Sequence, residues 1–178
     1  PKLSSLDHML SFRGEFSNPY SLNLEEIKSL PKKTMPVTLE CAGNGRSNVT
    51  PRSFSMPWKY GAVGTSEWTG TPLKPLIKKA APKPEVVDIT FTGADRGYDS
   101  GHEHNFARSL TLKQIEELDV LLVYQMNGIP LLPQHGAPLR IIVPGWYGMA
   151  SVKWLTEIKA LNKSFDGYQQ TGTYCFRT

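Results

Sequence analysis

Apolar and polar residues alternate along several short stretches of the chain, which is the spacing of a β-strand with one buried face. Stretches of this kind lie at residues 8–17, 35–41 and 85–93, and a continuous apolar run at residues 119–128, which ends in an Asn-Gly turn, is a further predicted strand. Two further apolar runs follow at residues 139–145 and 151–161. The pattern predicts a protein in which strands predominate.

Three short segments carry the start and stop signals of helices. In the first, Ser21 or Asn23 is the expected N-cap and Pro31 follows the end; in the second, Pro72 lies in the first turn. These segments are residues 21–31, 70–81 and 111–118. Because strands outnumber helices and the helices are short, the sequence predicts an α+β fold with mixed sheets.

Residues 42–66 and 94–109 have neither period and are rich in polar residues and glycine, so we expect two long loops. Loops of this length exceed what a simple connection needs, and they are therefore expected to carry the functional site. No repeat or linker divides the chain, which predicts one domain over residues 1–178.

Charge and composition narrow the function only slightly. The net charge is +4, from 20 Lys and Arg against 16 Asp and Glu. This excess favours anionic partners, but with no basic run it does not indicate nucleic acid. No apolar stretch approaches the roughly 20 residues of a membrane span, and no signal peptide is recognisable. The chain begins with Pro1, so we expect an excised piece whose localisation, cytoplasmic or extracytoplasmic, is open.

Cys41 follows directly on a predicted strand and is one of only two cysteines, the other being Cys175. Gly43 and Gly45 permit a tight turn and a close approach of a bulky group, and Arg46 adds a positive charge. These features fit a nucleophile or a ligand to a soft metal. A buried structural cysteine is the alternative from local chemistry. Two cysteines do not indicate a disulfide framework.

Two other groups of residues could carry chemistry. His102 and His104 flank a glutamate, a spacing that can bind zinc, although a solvated polar loop is the favoured interpretation. His135, Arg140 and Lys153 lie among glycine turns, which favours an anion-binding cradle. The alternative for this second group is a hydrophobic hairpin with surface charges.

Four segments resemble the molybdenum domain of the sulfite oxidase family, in the family's order and at about its spacing. They are TLECAGNGR at 38–46, GTSEWTGTPL at 64–73, YQMNGIPLLPQHGAPLRIIVPGWYGMASVKWL at 124–155 and YQQTGTY at 168–174. The likeness extends from about residue 10 to the C-terminus. It implies the sulfite-oxidase-type molybdopterin-binding fold.

The resemblance implies a role for each matched position. Cys41 falls on the protein ligand to molybdenum, in a sphere otherwise containing the dithiolene sulfurs of molybdopterin. Arg46 falls on an arginine that faces the anionic substrate, and Asp95 on an aspartate that contacts the pterin. His135 and Arg140 match residues that hold the pyranopterin and its phosphate.

Four further positions complete the implied site. Ser151, Val152 and Lys153 fall where the family has His-Val-Lys contacts to the cofactor, so at Ser151 only a backbone contact is expected. Tyr174 matches an active-site tyrosine near the metal.

The chain also departs from the family pattern at both ends. We expect it to begin after a segment that supplies further pterin contacts and a second substrate arginine, and to end before an immunoglobulin-like dimerisation domain. A fragment of this kind is expected to retain the cofactor poorly. The segment at 94–109 looks more like bacterial members of the family, which leaves sulfite open as the substrate.

The resemblance implies an oxidoreductase that uses Mo-molybdopterin for oxygen-atom transfer to or from a small sulfur oxyanion such as sulfite. Sulfoxide or nitrate reduction on the same fold is an alternative, as is a cofactor-free binding domain. The expected partners are a small anionic substrate and an electron-transfer protein such as a cytochrome. A homodimer would form through a domain outside this chain.

Overall fold

The strands predicted from alternation pair into two sheets in the computed structural model, which describes residues 1–52, 54–99 and 101–171. The first sheet has the order β2-β1-β10-β5-β6, and β1 pairs with β10 in parallel. Its strands are β1 (Met9–Gly14), β2 (Tyr20–Asn23), β5 (Asp88–Asp99), β6 (His102–Thr111) and β10 (Leu155–Leu161). The other pairs of this sheet are antiparallel, so the sheet is mixed.

The second sheet is antiparallel and has the order β3-β4-β7-β8, with β9 paired to β7. Its strands are β3 (Lys33–Glu40), β4 (Val63–Pro72), β7 (Leu121–Met126), β8 (Ile129–Pro130) and β9 (Arg140–Ile142). The helices are α1 (Leu24–Ser29), α2 (Leu73–Ala80), α3 (Leu112–Glu117) and α4 (Tyr168–Thr171). Single 3₁₀ turns lie at Arg46–Asn48, Pro133–His135 and Gly148–Ala150. The predicted α+β class with mixed sheets is confirmed.

Strand β7 is buried on both faces, which explains its continuous apolar sequence. Leu122 and Tyr124 belong to the larger core, in which the first sheet packs against α1, α2 and α3. Leu121 and Val123 belong to a smaller cluster around Trp68. Ile141 and Ile142 of β9 divide between the two clusters in the same way. The two clusters fix the centre of the second sheet from both sides.

Local capping explains where α1 begins. The Asn23 side chain accepts the Glu26 N–H at 2.9 Å, and the Glu26 carboxylate accepts the Asn23 N–H at 2.7 Å. This reciprocal capping box satisfies two backbone donors that the first turn leaves unpaired. Of the two expected N-caps, Asn23 is correct, because Ser21 belongs to β2 and pairs with Ser11.

Several predicted boundaries were wrong. Residues 94–99 and 101–109 are not a loop but part of the β5–β6 hairpin, whose register is shifted by an irregularity between Thr92 and Arg96. Outer residues such as Arg96 and Tyr98 are exposed, so no apolar alternation marks this part of the hairpin. The loop after Cys41 ends at Val63, where β4 begins, and α2 begins only at Leu73 because residues 70–72 pair with β7. No helix in the described ranges is long and apolar enough to cross a membrane.

Replacing Gly70 with alanine is expected to destabilise the second sheet. A Cβ on Gly70 would lie 2.2 Å from the Leu122 carbonyl oxygen, so β4 and β7 would have to separate. We expect Gly70→Ala to lower the free energy of unfolding by about 1–3 kcal/mol in urea denaturation. Gly64→Ala on the same strand is the matched control, because a Cβ there meets nothing within 4 Å. Equal stability of the two variants would contradict this account of the β4–β7 contact.

Candidate functional site

Cys41 directly follows the last residue of β3 and presents an exposed, free thiol. Its N–H donates to the Ala62 carbonyl at 2.9 Å, which fixes the strand end. The Gly43 N–H donates to the Cys41 Sγ at 3.4 Å, so the turn directs a backbone donor at the sulfur. The thiol is therefore accessible, held in place and close to a positive backbone dipole.

Asn44 stabilises this turn through hydrogen bonds. Its Nδ2 donates to Glu40 Oε1 at 2.8 Å, and its Oδ1 accepts the Ala62 N–H at 3.0 Å. The Asn44 N–H donates to the Cys41 carbonyl at 2.9 Å. Gly45 follows with a φ of 77°, a left-handed conformation that glycine adopts without strain. The short motif thus builds one rigid turn that carries the sulfur.

Arg46 lies against the same turn. Its Nη1 donates to the Ser55 hydroxyl at 2.8 Å and to the Met56 carbonyl at 3.4 Å. A Cβ on Gly43 would lie 2.5 Å from Arg46 Nη2, so the absence of a side chain at Gly43 makes room for the guanidinium. Cys41 and Arg46 therefore both contact Gly43, and the structure brings the two predicted residues together.

A small concavity of about 290 Å³ opens beside the Cys41 sulfur. Leu39, Glu40, Cys41 and Ala42 form one wall, and Gly148 and Met149 form the other. The second wall belongs to the connection between β9 and β10, which runs on to Ser151, Val152 and Lys153. Two of the four segments that resemble the family, those at 38–46 and 124–155, thus meet at this concavity.

Arg140 is 5% exposed and lies at the start of β9. Its Nη1 donates to the His135 carbonyl at 3.0 Å and its Nη2 to the Ser151 carbonyl at 2.8 Å. The guanidinium also stacks 4.9 Å from the centre of the Trp68 ring. Burial lowers the Arg140 pKa to about 10, so the side chain remains charged at neutral pH. Arg140 thereby fastens the His135 turn to the segment at Ser151.

The Ser151–Lys153 segment lies beside Arg140 and is largely buried. The Ser151 hydroxyl accepts the Val143 N–H at 3.1 Å, and the Val152 carbonyl accepts the Ile141 N–H at 3.0 Å. The serine that stands where the family has histidine is therefore used within the fold. The structure places Ser151 and Val152 next to the cradle formed by the His135 turn.

Lys153 and Asp95 form the far side of this cradle. Lys153 Nζ donates to the Gln134 carbonyl at 3.1 Å and lies 4.2 Å from the centre of the Trp154 ring. Burial lowers the Lys153 pKa, and the charge of Arg140 lowers it further. Burial raises the Asp95 pKa, which the charge of Lys153 partly offsets. In the cradle, which consists of the His135 turn, Arg140, Lys153 and Asp95, the charged side chains thus neutralise one another only in part.

Three buried side-chain atoms lack a hydrogen-bond partner in the described part of the chain: Asp95 Oδ1, Arg140 Nε and His8 Nε2. Asp95 and Arg140 belong to the cradle, and burial lowers the pKa of His8, which lies against the Leu155 backbone just after Lys153. Buried polar groups without partners are uncommon, and where they cluster they indicate a missing ligand or water. Sequence reasoning missed His8, because a lone histidine before a strand has no distinguishing pattern.

The remaining candidates are Tyr174 and the pair His102 and His104. Tyr174, and with it Cys175, lies outside the described residues. His104 is on β6, with its ring 5.0 Å from that of Tyr168. Among the described residues, no group of three or more His, Cys, Asp or Glu side chains could hold a metal ion.

The comparisons with known proteins define the class of molecule. A family model described as the oxidoreductase molybdopterin binding domain matches residues 1–169. The chain is 35% identical over 98% of its length to a mitochondrial sulfite oxidase of Drosophila melanogaster, covering 30% of that protein. It is 32% identical over 92% of its length to an NADH nitrate reductase of Ulva prolifera, covering 20% of that protein.

The fold points to the same class. The sulfane dehydrogenase SoxCD of Paracoccus pantotrophus superimposes with a TM-score of 0.84 at 28% identity, over 98% of this chain and 43% of that one. The chain therefore belongs to the oxidoreductase molybdopterin-binding domain family. This confirms the predicted fold, the oxidoreductase class and the molybdopterin cofactor. The chain spans less than half the length of these relatives, and the bacterial-type assignment of residues 94–109 stays a prediction.

The residues present fit such a cofactor. Asp95 and Arg140 offer buried polar atoms without partners, one an acceptor or acid and the other a donor. Gly136 lies so close to Lys153 that a Cβ would be 2.8 Å from the Lys153 Cβ, which keeps the cradle narrow. The accessible thiol of Cys41 supplies a soft ligand on the adjoining turn.

Arg140→Lys is expected to loosen the cradle, because one ammonium group cannot reach both carbonyls that the guanidinium serves. Losing one charge-assisted hydrogen bond and leaving a buried carbonyl unpaired should lower the free energy of unfolding by about 2 kcal/mol. Urea denaturation of the apo chain measures this change directly. Arg13→Lys, at an exposed position on β1, is the control and should change stability by less than about 0.5 kcal/mol. If both variants were equally stable, the clamp described for Arg140 would be wrong.

Proposed function

We propose that this chain is the cofactor-binding domain of a Mo-molybdopterin oxidoreductase that catalyses oxygen-atom transfer to or from a small sulfur oxyanion such as sulfite. The observation that carries the proposal is the Cys41 turn: an exposed, free thiol on a braced glycine turn, with the Arg46 guanidinium against the same glycine. The bound cofactor would supply a two-electron redox centre at molybdenum and would accept or donate the oxygen atom.

Cys41 would hold the metal. A thiolate suits the soft, sulfur-rich coordination sphere that molybdopterin provides. The backbone hydrogen bonds of Cys41 and Asn44 fix the sulfur before any ligand binds, so little ordering remains to be done on binding. Cys41 would be the one protein ligand, alongside the dithiolene sulfurs of molybdopterin.

Arg46 would orient the substrate anion. Ser55 and Met56 hold one end of its guanidinium, through Nη1. A planar guanidinium can still present donors to two oxygens of an oxyanion, which gives a defined orientation as well as a charge. Tyr174 remains the predicted hydrogen-bond donor near the reacting oxygen, as the resemblance implies.

The cradle would bind the pterin and its phosphate. Arg140 and Lys153 supply positive charge, and His135 lies on the turn that Arg140 fastens. Asp95 would contact the pterin, and Ser151 and Val152 would contribute through the backbone they fix. Both terminal nitrogens of Arg140 are bonded to carbonyls, so its action on the cofactor would be mainly through its charge and through the turn it positions.

Nitrate reduction is the second candidate, because relatives named nitrate reductase are 30–33% identical to the chain. Nitrate and sulfite are both small oxyanions that an arginine beside the metal could orient. Either reaction requires a second protein or domain that carries electrons to or from the metal, and we propose a cytochrome or another redox domain for this role.

Cys41→Ser should abolish activity and strongly reduce molybdenum content, because a hydroxyl is a poor ligand for this soft site. The fold should be retained, since the side chain is exposed and makes a single weak hydrogen bond through its sulfur. Molybdenum analysis, circular dichroism and sulfite turnover measure the three outcomes. Cys175→Ser, at the other cysteine, is the control and should retain the metal. Full activity of Cys41→Ser would end the proposal.

Arg46→Ala should reduce kcat/KM for sulfite by about 10- to 100-fold with unchanged molybdenum content, since a charged hydrogen bond contributes about 1.5–3 kcal/mol. Arg46→Lys should recover only part of this loss, because a point charge cannot reproduce the planar fork. Arg52→Ala, a nearby exposed arginine, is the control for general charge and should have a smaller effect. Loss of the metal in Arg46→Ala, with full metal content in Arg140→Ala, would show that the two roles are reversed.

A further inference from the structure

A second and larger concavity adjoins the one at Cys41. It has a volume of about 650 Å³ and is lined by Thr38, Glu40, Gly145, Trp146 and Tyr147. Glu40 lines both concavities, and Gly148, in the wall of the first, directly follows Tyr147. A group bound in the larger concavity would therefore lie next to the Cys41 turn.

The lining of this concavity is unusual for a site beside an oxyanion. Trp146 is 41% exposed and Tyr147 is 54% exposed, so two aromatic rings face solvent on consecutive residues. Among the described residues that line it, Glu40 carries the only charged side chain, and its Oε1 is oriented by Asn44 at 2.8 Å. Aromatic faces attract cations, and a carboxylate adds to that attraction, whereas neither group binds an anion.

The aromatic residues are held in place by their backbone. The Ala150 N–H donates to the Tyr147 carbonyl at 2.9 Å, and the Ser151 N–H donates to the Gly148 carbonyl at 3.1 Å. The Val143 N–H in turn donates to the Ser151 hydroxyl at 3.1 Å. Hydrogen bonds within this short connection thus fix its backbone. A ligand that contacts the two rings therefore does not have to order the backbone first.

We propose that Glu40, Trp146 and Tyr147 form a subsite for a small organic cation, and that it binds a cationic substituent of the substrate. The second part rests on the proposed function, and it changes the expected substrate class. A bare sulfite ion has no group for this subsite and would be repelled by Glu40. An organic sulfur or nitrogen oxide that carries a quaternary or protonated amine would contact both the Cys41 concavity and the aromatic rings.

Choline and its uncharged carbon isostere, 3,3-dimethylbutan-1-ol, test the subsite, because the two molecules have nearly the same shape and differ in charge. Each is titrated at constant ionic strength into the isotope-labelled apo chain, and the amide signals of residues 145–148 are followed by NMR. We expect choline to bind at least about threefold more tightly than the isostere. Equal affinities, or no perturbation of these signals by choline, would overturn the proposal.

Variants assign the effect to the named residues. Glu40→Gln should bring choline close to its isostere, since the amide can still accept from Asn44 while the charge is lost. Tyr147→Leu should weaken choline binding and Tyr147→Phe should retain it, because the ring is what matters. Glu25→Gln on α1 and Tyr98→Leu on β5 are matched controls at exposed positions and should bind as the wild type does. Equal weakening in the controls would overturn the assignment.

A kinetic arm separates this inference from the proposed function. In the full-length, molybdenum-loaded protein, choline should competitively inhibit turnover of an organic sulfoxide that carries a quaternary amine, and Glu40→Gln should relieve the inhibition. If choline binds the apo chain as expected but the loaded protein transfers no oxygen atom, the proposed function fails and the cation subsite stands. If turnover occurs and choline neither binds nor inhibits, the subsite fails and the proposed function stands.

Discussion

The site depends on the contacts that the buried guanidinium of Arg140 makes with its surroundings. Taking a charge out of water is costly, and here the cost is offset by two backbone carbonyls and the face of Trp68 rather than by a carboxylate. Carbonyl oxygens satisfy its two terminal nitrogens without cancelling the charge, so the positive potential persists. Burial lowers the pKa of Lys153 and this charge lowers it further, so the same interaction that joins the His135 turn to Ser151 also prepares the cradle for an anionic group.

The sheets make this arrangement rigid. Strands β7 and β9 have apolar residues in both clusters, so neither can shift without disturbing packing on both sides. Backbone hydrogen bonds then link β9 to the segment that leads into β10: Ile141 donates to Val152, and Leu155 donates to Leu139. The cradle is consequently built at the junction of the two sheets, where a binding site needs little additional ordering.

Sequence reasoning succeeded where a single local rule decides the structure and failed where tertiary contacts do. The Cys41 turn was predictable, because glycines placed directly after strand residues permit the tight, left-handed backbone that such a turn needs. The β5–β6 hairpin was not, because its outer residues are exposed and show no alternation. The segment at Ser151 has a strand-like apolar sequence but is a loop up to Trp154, whose φ is 51°. Val152 is buried in this loop without belonging to a strand. The clamp formed by Arg140 also depends on carbonyls that no sequence pattern reveals.

The connection between β9 and β10 has an inner end that supports the cradle and an outer part that lies beside Cys41. Its inner end, at Ser151, is buried and bonded to Val143 and Arg140, so changes there would disturb the cradle. Its outer part, at Trp146 and Tyr147, is about half exposed to solvent. Substitutions in the outer part can therefore alter what lies beside Cys41 while the inner end keeps its hydrogen bonds. Since the relatives include proteins named for sulfite, sulfane and nitrate, a fixed cradle with a variable outer wall is a physical route by which one fold could accept each.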